Sequence, residues 1–238
     1  MTADPADQDV GPERQQGDPQ SPLVAELRTP RAAAVAGIVF AVILCVVVVL
    51  LHAAVPPGGN QTQWVTEPSQ RQKVTLALEL IPYAGIAFLW FIGVIRSQLG
   101  QREDKFFATA FLGSGLLFVA MLFAGAANFA AVLSLFGGQG DVPADEVRLA
   151  GAVSTALLAT FGIRMAAVFA LVTTNLGRRA GIVPRWLLVF GYAVALLLLL
   201  TPPRTWWAVL LFPTWVFLLS LQILVVSFRA GREPAAAG

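Results

Sequence analysis

Long apolar runs alternate with short polar connections along this chain. The runs lie at about residues 32–52, 74–95, 106–135, 150–175, 186–201 and 205–228. A helix of about 20 residues crosses a hydrocarbon core of about 30 Å, and every run except the short fifth one reaches that length. The pattern predicts an all-α, polytopic transmembrane helix bundle with six spans.

Polar segments flank this region at both ends of the chain. Residues 1–28 are rich in Pro, Asp, Gln and Gly and contain no aromatic residue. They predict a disordered cytoplasmic tail with at most a short turn of helix over 22–28, because they bury too little apolar area to offset ordering entropy. The six-helix transmembrane domain is predicted over 29–229, and 230–238 form a second cytoplasmic tail.

Composition agrees with a membrane protein and excludes other classes. Hydrophobic residues make up 57% of the chain and charged residues 13%, with a mean hydropathy of +0.72. A soluble domain carries about 25% charged residues. The net charge of +2 does not indicate nucleic-acid binding, because the basic residues lie mostly at the ends of apolar runs rather than in a basic stripe.

Basic residues in the connections predict the orientation, since they concentrate on the cytoplasmic side of membrane proteins. With the N-terminus in the cytoplasm, the basic residues of the inner side are Arg14, Arg28, Arg31, Arg96, Arg102, Lys105, Arg178, Arg179, Arg185, Arg229 and Arg232. Those of the outer side are Arg71, Lys73, Arg148 and Arg204. Six spans return the chain to the side where it began, so both termini are predicted to be cytoplasmic.

Arg164 is the most conspicuous polar residue, because it lies near the middle of the fourth run in LLATFGIRMAAVFAL. A charge at that depth costs about 2.5–3.5 kcal/mol on insertion scales and normally faces the bundle interior with a partner. Glu79 in the second run is the expected partner, although the two positions differ in depth by about 13 Å at 1.5 Å per residue. Arg164 is interpreted either as structural, paired with an acid or with backbone, or as part of a site for an anion or a proton.

Two further residues add to this set. Tyr83 follows Pro82, which lacks a backbone donor and so frees the carbonyl of Leu78 beside Glu79; some transporters build ion sites in this way. Asn128 is a single amide in the third run, and hydrogen bonding between helices is its simpler interpretation. The candidates for a ligand or ion pathway are therefore Glu79, Tyr83, Asn128 and Arg164.

Small residues recur at helical spacing in two neighbouring runs. The third run carries Gly113, Ala120, Ala124, Ala127 and Ala131. The fourth carries Ala152, Ala156, Ala159, Ala166 and Ala170. Such stripes let helix backbones approach closely, so the third and fourth spans are predicted to pack against each other.

Familiar catalytic and metal-binding patterns are absent from the sequence. There is no H-E-x-x-H, G-x-S-x-G or P-loop motif. His52 is the only histidine and Cys45 the only cysteine, which excludes a bis-histidine haem site, an intrachain disulfide and a multi-cysteine metal site. We expect no catalytic residue, cofactor or metal.

The segment ELIPYAGIAFLWFIGVIR, followed by QREDKFFATAFLGSGLLFVAMLF, resembles uncharacterised multi-pass membrane proteins of high-GC actinobacteria. The resemblance covers about residues 32–228 and is most specific over 79–123. It implies a location in the bacterial plasma (inner) membrane and no assigned activity.

Three functions are compatible with these features. The preferred one is a non-enzymatic structural or interaction component, whose partners are the lipid bilayer and either a second copy or another membrane protein. The first alternative is a small transporter or channel with an intramembrane Glu79/Arg164 site. The second is a membrane-embedded enzyme that acts on lipid.

Overall fold

Helices account for nearly all of the structure, a computed structural model that describes residues 22–55, 62–99, 105–138, 142–181, 183–202 and 205–230. No strand occurs within these ranges, which confirms the all-α prediction. The helices are α1 Pro22–Ala54, α2 Gln63–Thr66, α3 Pro68–Leu99, α4 Lys105–Phe136, α5 Ala144–Thr155, α6 Ile163–Ala180, α7 Arg185–Leu200, α8 Trp206–Val209 and α9 Leu211–Ala230. A π-helical segment, Ala156–Gly162, joins α5 directly to α6.

Five helical stretches are long and apolar enough to cross a membrane. They are Arg31–Ala54, Pro68–Arg96, Phe107–Phe136, Ala144–Ala180 and Trp207–Phe228. The remaining predicted span corresponds to α7, whose 16 residues measure about 24 Å, less than a hydrocarbon core of about 30 Å. The helices are those of a membrane protein, whereas the sixth span and the side of each terminus stay predictions.

The first helix is longer than its apolar run. It begins at Pro22, ahead of the predicted domain start at residue 29, so residues 22–28 are helical. The rest of the predicted tails, residues 1–21 and 231–238, lies outside the described residues.

A cluster of phenylalanine rings forms the centre of the core. Phe40, Phe88, Phe118, Phe169 and Phe212 come from α1, α3, α4, α6 and α9 respectively, and all five are buried. The ring centroid of Phe88 lies between 4.5 and 5.9 Å from each of the other four. Aromatic pairs in such geometry each contribute about 0.5–1.5 kcal/mol beyond area burial. These rings, the phenylalanine cluster, set the relative depth of five helices.

Arginines mark one end of the bundle. Arg31 of α1 donates to Ser227 Oγ of α9 at 3.2 Å and lies 4.8 Å from the ring centroid of Phe228. Arg179 of α6 stacks 4.4 Å from the ring of Phe107 on α4. We call this end the Arg31 end and the opposite one, where α1 finishes, the His52 end.

The fourth predicted span packs against α4, but not through the predicted stripe of α4. Ala120, Ala124, Ala127 and Ala131 are exposed. Gly125 on another face of α4 makes the close approach instead, because a Cβ there would lie 2.7 Å from the side chain of Leu158. The buried face of α4 carries large aromatic side chains. These make more dispersion contacts than alanines do, so this face packs inward and the alanine stripe stays exposed.

Replacing Gly37 by leucine should lower the thermal unfolding temperature in detergent micelles. A Cβ at Gly37 would collide with Ser220 Oγ and lie 2.8 Å from the ring of Phe91, at the junction of α1, α3 and α9. Overpacking of this kind costs about 1–3 kcal/mol. Gly113→Leu is the matched control, since no atom lies within 4 Å of a Cβ there. Equal unfolding temperatures for the two variants would contradict the close packing at Gly37.

Candidate functional site

Glu79 lies on the outward face of α3. It lines a shallow groove together with Arg71 and Thr75, and it has no hydrogen-bond or ion-pair partner among the residues that the structure describes. Tyr83, one turn further along, is 63% exposed. Helix α3 continues through Pro82 without interruption. These two candidates therefore face away from the bundle core.

Arg164 is half-buried in the first turn of α6. Its Nη1 donates to the carbonyl oxygen of Thr160 at 2.8 Å. Thr160 belongs to the π-helical segment, where the backbone amide of Ile163 donates to the carbonyl of Leu158, five residues earlier. The guanidinium is thus bonded to backbone, and this matches one of its structural interpretations.

The two charged candidates lie at different depths and on different faces. Phe88 of α3 and Phe169 of α6 mark one level, since their ring centroids are 5.1 Å apart. At 1.5 Å per residue, Glu79 lies about 13.5 Å and Arg164 about 7.5 Å from that level, both towards the His52 end. Because Glu79 also faces outward, the structure gives Arg164 a carbonyl as its partner rather than this acid.

Asn128 connects α4 to α5. Its Nδ2 donates to the carbonyl of Ala150 at 2.6 Å and to Ser154 Oγ at 2.8 Å. Ser154 is fully buried and donates to the carbonyl of Gly125 at 3.1 Å, back on α4. This three-bond arrangement, the Asn128–Ser154 clamp, gives Asn128 a packing role.

A cavity of about 980 Å³ lies between α1 and the π-helical segment, towards the His52 end. Val48 and Leu51 of α1 and Ala159 and Gly162 of the π-helical segment are among its lining residues. Phe212 of the phenylalanine cluster closes the deep end. The space is mainly apolar and reaches roughly from the bundle centre to the end of α1.

The ionisable residues that line this cavity are His52 and Arg148. Arg148 also approaches Asp145, one turn away, at 3.9 Å; the two side chains are 63% and 100% exposed. A pair so open to solvent contributes little to stability and competes weakly for the arginine. Thr155 and Thr160 add polar side chains to the wall.

The sequence pattern did not indicate this cavity or the π-helical segment. The available signal was the stripe of small residues in the fourth span, which predicted close packing. In the structure Ala152, Ala156 and Ala159 line the cavity, whereas Ala166 and Ala170 are buried in the core. Three of the five stripe residues therefore border open space, and two pack in the core.

Comparisons of the chain with protein-family models, curated proteins and solved structures found no match. Within the described ranges, no group of three or more His, Cys, Asp or Glu side chains is arranged to hold a metal ion. Function is therefore inferred from the geometry of the chain.

The unfolding effects of Glu79→Gln and Arg164→Gln should be additive within about 0.5 kcal/mol, because residues without shared partners do not couple. The measurement is a double-mutant cycle of unfolding free energies in detergent. A coupling energy of about 1 kcal/mol or more would place the two groups in contact and contradict the separation in the structure.

Removing the amide of Asn128 should destabilise the protein by about 1–2 kcal/mol, because interhelical hydrogen bonds in membranes contribute about 0.6 kcal/mol on average and up to about 1.7. Asn128→Ala is compared with Gln222→Ala by thermal unfolding. Gln222 is also a single amide in an apolar helix, but it makes no hydrogen bond within the described part of the chain. Equal losses from the two variants would show that the clamp adds no stability.

Proposed function

We propose that the protein is a non-enzymatic interaction component of a bacterial plasma membrane, which binds another membrane protein or a second copy through α3. The observation that carries the proposal is the outward face of this helix. Glu79, Tyr83, Ile86 and Trp90 are exposed there at helical spacing, with Trp90 68% exposed. We call these four residues the α3 face.

The position of the acid supports a protein partner. The phenylalanine cluster is close to the bilayer centre if Arg31 and Arg96 mark one boundary, since they lie about 13.5 and 12 Å from its level. Glu79, about 13.5 Å away on the other side, is then just inside the hydrocarbon edge. A carboxylate on a lipid-facing surface is disfavoured, and a neighbouring helix that offers a donor or a cation relieves this cost.

The proposed topology has six spans, with the Arg31 end in the cytoplasm. Arg31, Arg96, Arg178, Arg179 and Arg185 lie at this end, which agrees with the cytoplasmic bias of basic residues. α7 supplies the remaining span, and local thinning of the bilayer accommodates its short apolar length. The resemblance to actinobacterial membrane proteins favours the same location.

The transporter alternative receives less support from the candidate residues. Glu79 faces outward from α3, and Arg164 is bonded to a backbone carbonyl on another helix. A shared pathway would need both side chains on one internal surface. An interaction role needs only that the α3 face be covered.

A photo-crosslinking amino acid at position 86 should form a discrete adduct in intact membranes, because a partner helix covers the α3 face. The matched control is position 189 on α7, where valine is 69% exposed. Glu79→Gln should reduce the adduct at position 86 without lowering the unfolding temperature. An adduct of twice the chain mass identifies a second copy, and any other discrete mass identifies a different protein.

Absence of an adduct at position 86, or equal labelling at positions 86 and 189, would contradict the proposal. If Glu79→Gln leaves the yield of the adduct unchanged, Glu79 does not contribute to the interface.

A further inference from the structure

We propose that the cavity between α1 and the π-helical segment binds an anionic membrane lipid. Its headgroup lies at the His52 end beside Arg148, and an acyl chain extends towards the phenylalanine cluster. This site is separate from the α3 face and does not depend on it.

The size and lining of the cavity call for an apolar occupant. Its volume of about 980 Å³ is at the upper end of the range for small-molecule sites, about 300–1,000 Å³. The space is open at one side, so it is a cleft that a ligand can enter rather than an enclosed void between packed side chains. Val47, Leu51 and Phe118 line it, and water gains little against such walls.

The helices around the cavity leave it open to the side. Helix α1 packs against α3 and α9, whereas α5 and the π-helical segment pack against α4. The cavity occupies the gap between these two sets of helices. Ala152 and Thr155 line it and are also exposed, so the opening lies on the lateral surface of the bundle. A lateral opening beside the hydrocarbon admits a lipid chain directly from the membrane.

The depth of the polar end fits a lipid headgroup. His52 is twelve residues from Phe40 along α1, which places it about 18 Å from the level of the phenylalanine cluster. Half of a hydrocarbon core measures about 15 Å, so His52 lies at headgroup level. Phe212, at the other end of the cavity, belongs to that central cluster. The cavity therefore spans the depth of an acyl chain in one leaflet.

The charges of the lining favour an anion. Arg148 lines the cavity, and no Asp or Glu is among its lining residues within the described chain. The acids nearest to Arg148 on α5, Asp145 and Glu146, are exposed and lie outside the lining. Arg164 is not a lining residue, but its guanidinium is bonded to the carbonyl of the lining residue Thr160, so a further positive charge lies behind this part of the lining.

The headgroup, rather than the acyl chain, determines which lipid binds in the cavity. An acyl chain gains no hydrophobic free energy when it leaves other lipid chains for an apolar cavity. Discrimination between lipids therefore rests on the net charge of the headgroup beside Arg148. An anionic headgroup has a phosphate without a compensating cation, whereas in a zwitterionic headgroup the ammonium group offsets the attraction between the phosphate and Arg148.

The test titrates the purified full-length protein in detergent with phosphatidylglycerol or phosphatidylcholine of matched acyl chains and counts bound lipids by native mass spectrometry. Phosphatidylglycerol should saturate one site at lower concentration than phosphatidylcholine. Arg148→Gln should weaken phosphatidylglycerol binding about five-fold, the usual effect of one basic residue at a membrane surface. Arg178→Gln, the same change on an exposed arginine at the Arg31 end, should leave it unchanged.

Gly151→Leu tests the cavity itself. Gly151 lines the cavity, and no atom lies within 4 Å of a Cβ there, so leucine enters open space. The variant should lose about ten-fold or more in phosphatidylglycerol affinity while it keeps its unfolding temperature. Gly113→Leu is the matched control outside the cavity, and Ala152→Leu is a second cavity-filling variant in case the first does not fold.

Equal affinities of the wild-type protein for the two lipids would overturn the anionic preference. Full phosphatidylglycerol binding by folded Gly151→Leu or Ala152→Leu would place the bound lipid on the outer surface of the bundle and overturn the site.

Discussion

Polar groups that face the bundle interior inside the hydrocarbon region are stabilised by partners within the chain, and this constraint shapes much of the structure. Backbone groups meet it through continuous helices. Asn128 meets it by joining α4 to α5, and Arg164 meets it by bonding the Thr160 carbonyl one turn back. Ser114 meets it locally, donating to the carbonyl of Ala110 at 2.6 Å. Only the Asn128 contact joins two helices, whereas the other two satisfy their side chains within one helical stretch.

Three buried hydroxyls in the described chain, including Thr173 Oγ1, have no hydrogen-bond partner, and close packing explains two of them. Thr174 Oγ1 and Ser220 Oγ are buried without a hydrogen-bond partner. Each faces a glycine of a neighbouring helix, Gly191 on α7 and Gly37 on α1 respectively. A small hydroxyl residue opposite a glycine brings two backbones together, and the packing offsets the unmade hydrogen bond.

The cavity is a consequence of how these contacts are distributed. The phenylalanine cluster holds five helices together at the bundle centre, and Trp64 packs 5.1 Å from the ring of Phe129 nearer the His52 end. Between these two aromatic groups, the Asn128–Ser154 clamp and Gly125 hold the stretch from α5 to α6 against α4. The side of this stretch that is turned away from α4 carries alanine and glycine. These residues are too small to reach α1, so a gap open to the bilayer remains between them and α1.

The sequence predicted the helices well and their faces poorly. Apolar runs of sufficient length predict spanning helices because length and hydropathy alone set that outcome. Helices that are apolar on every side carry little information about which side is buried, so the Ala120–Ala131 stripe of α4 was assigned to the wrong surface. The expected contact between Glu79 and Arg164 rested on opposite charge without knowledge of helix rotation. The π-helical segment packs against α4 and has no propensity signal in the sequence.

Oxygen accessibility of a spin label at position 159 tests the lateral cavity most directly. The label is introduced as Ala159→Cys in a Cys45→Ala background, in lipid bilayers, and compared with Val189→Cys on the exposed side of α7. The account predicts similar, high collision rates with oxygen at both positions, because both face apolar space open to the membrane. A rate at position 159 as low as that of a label packed against α4 would contradict it and would mean that α1 closes onto the π-helical segment.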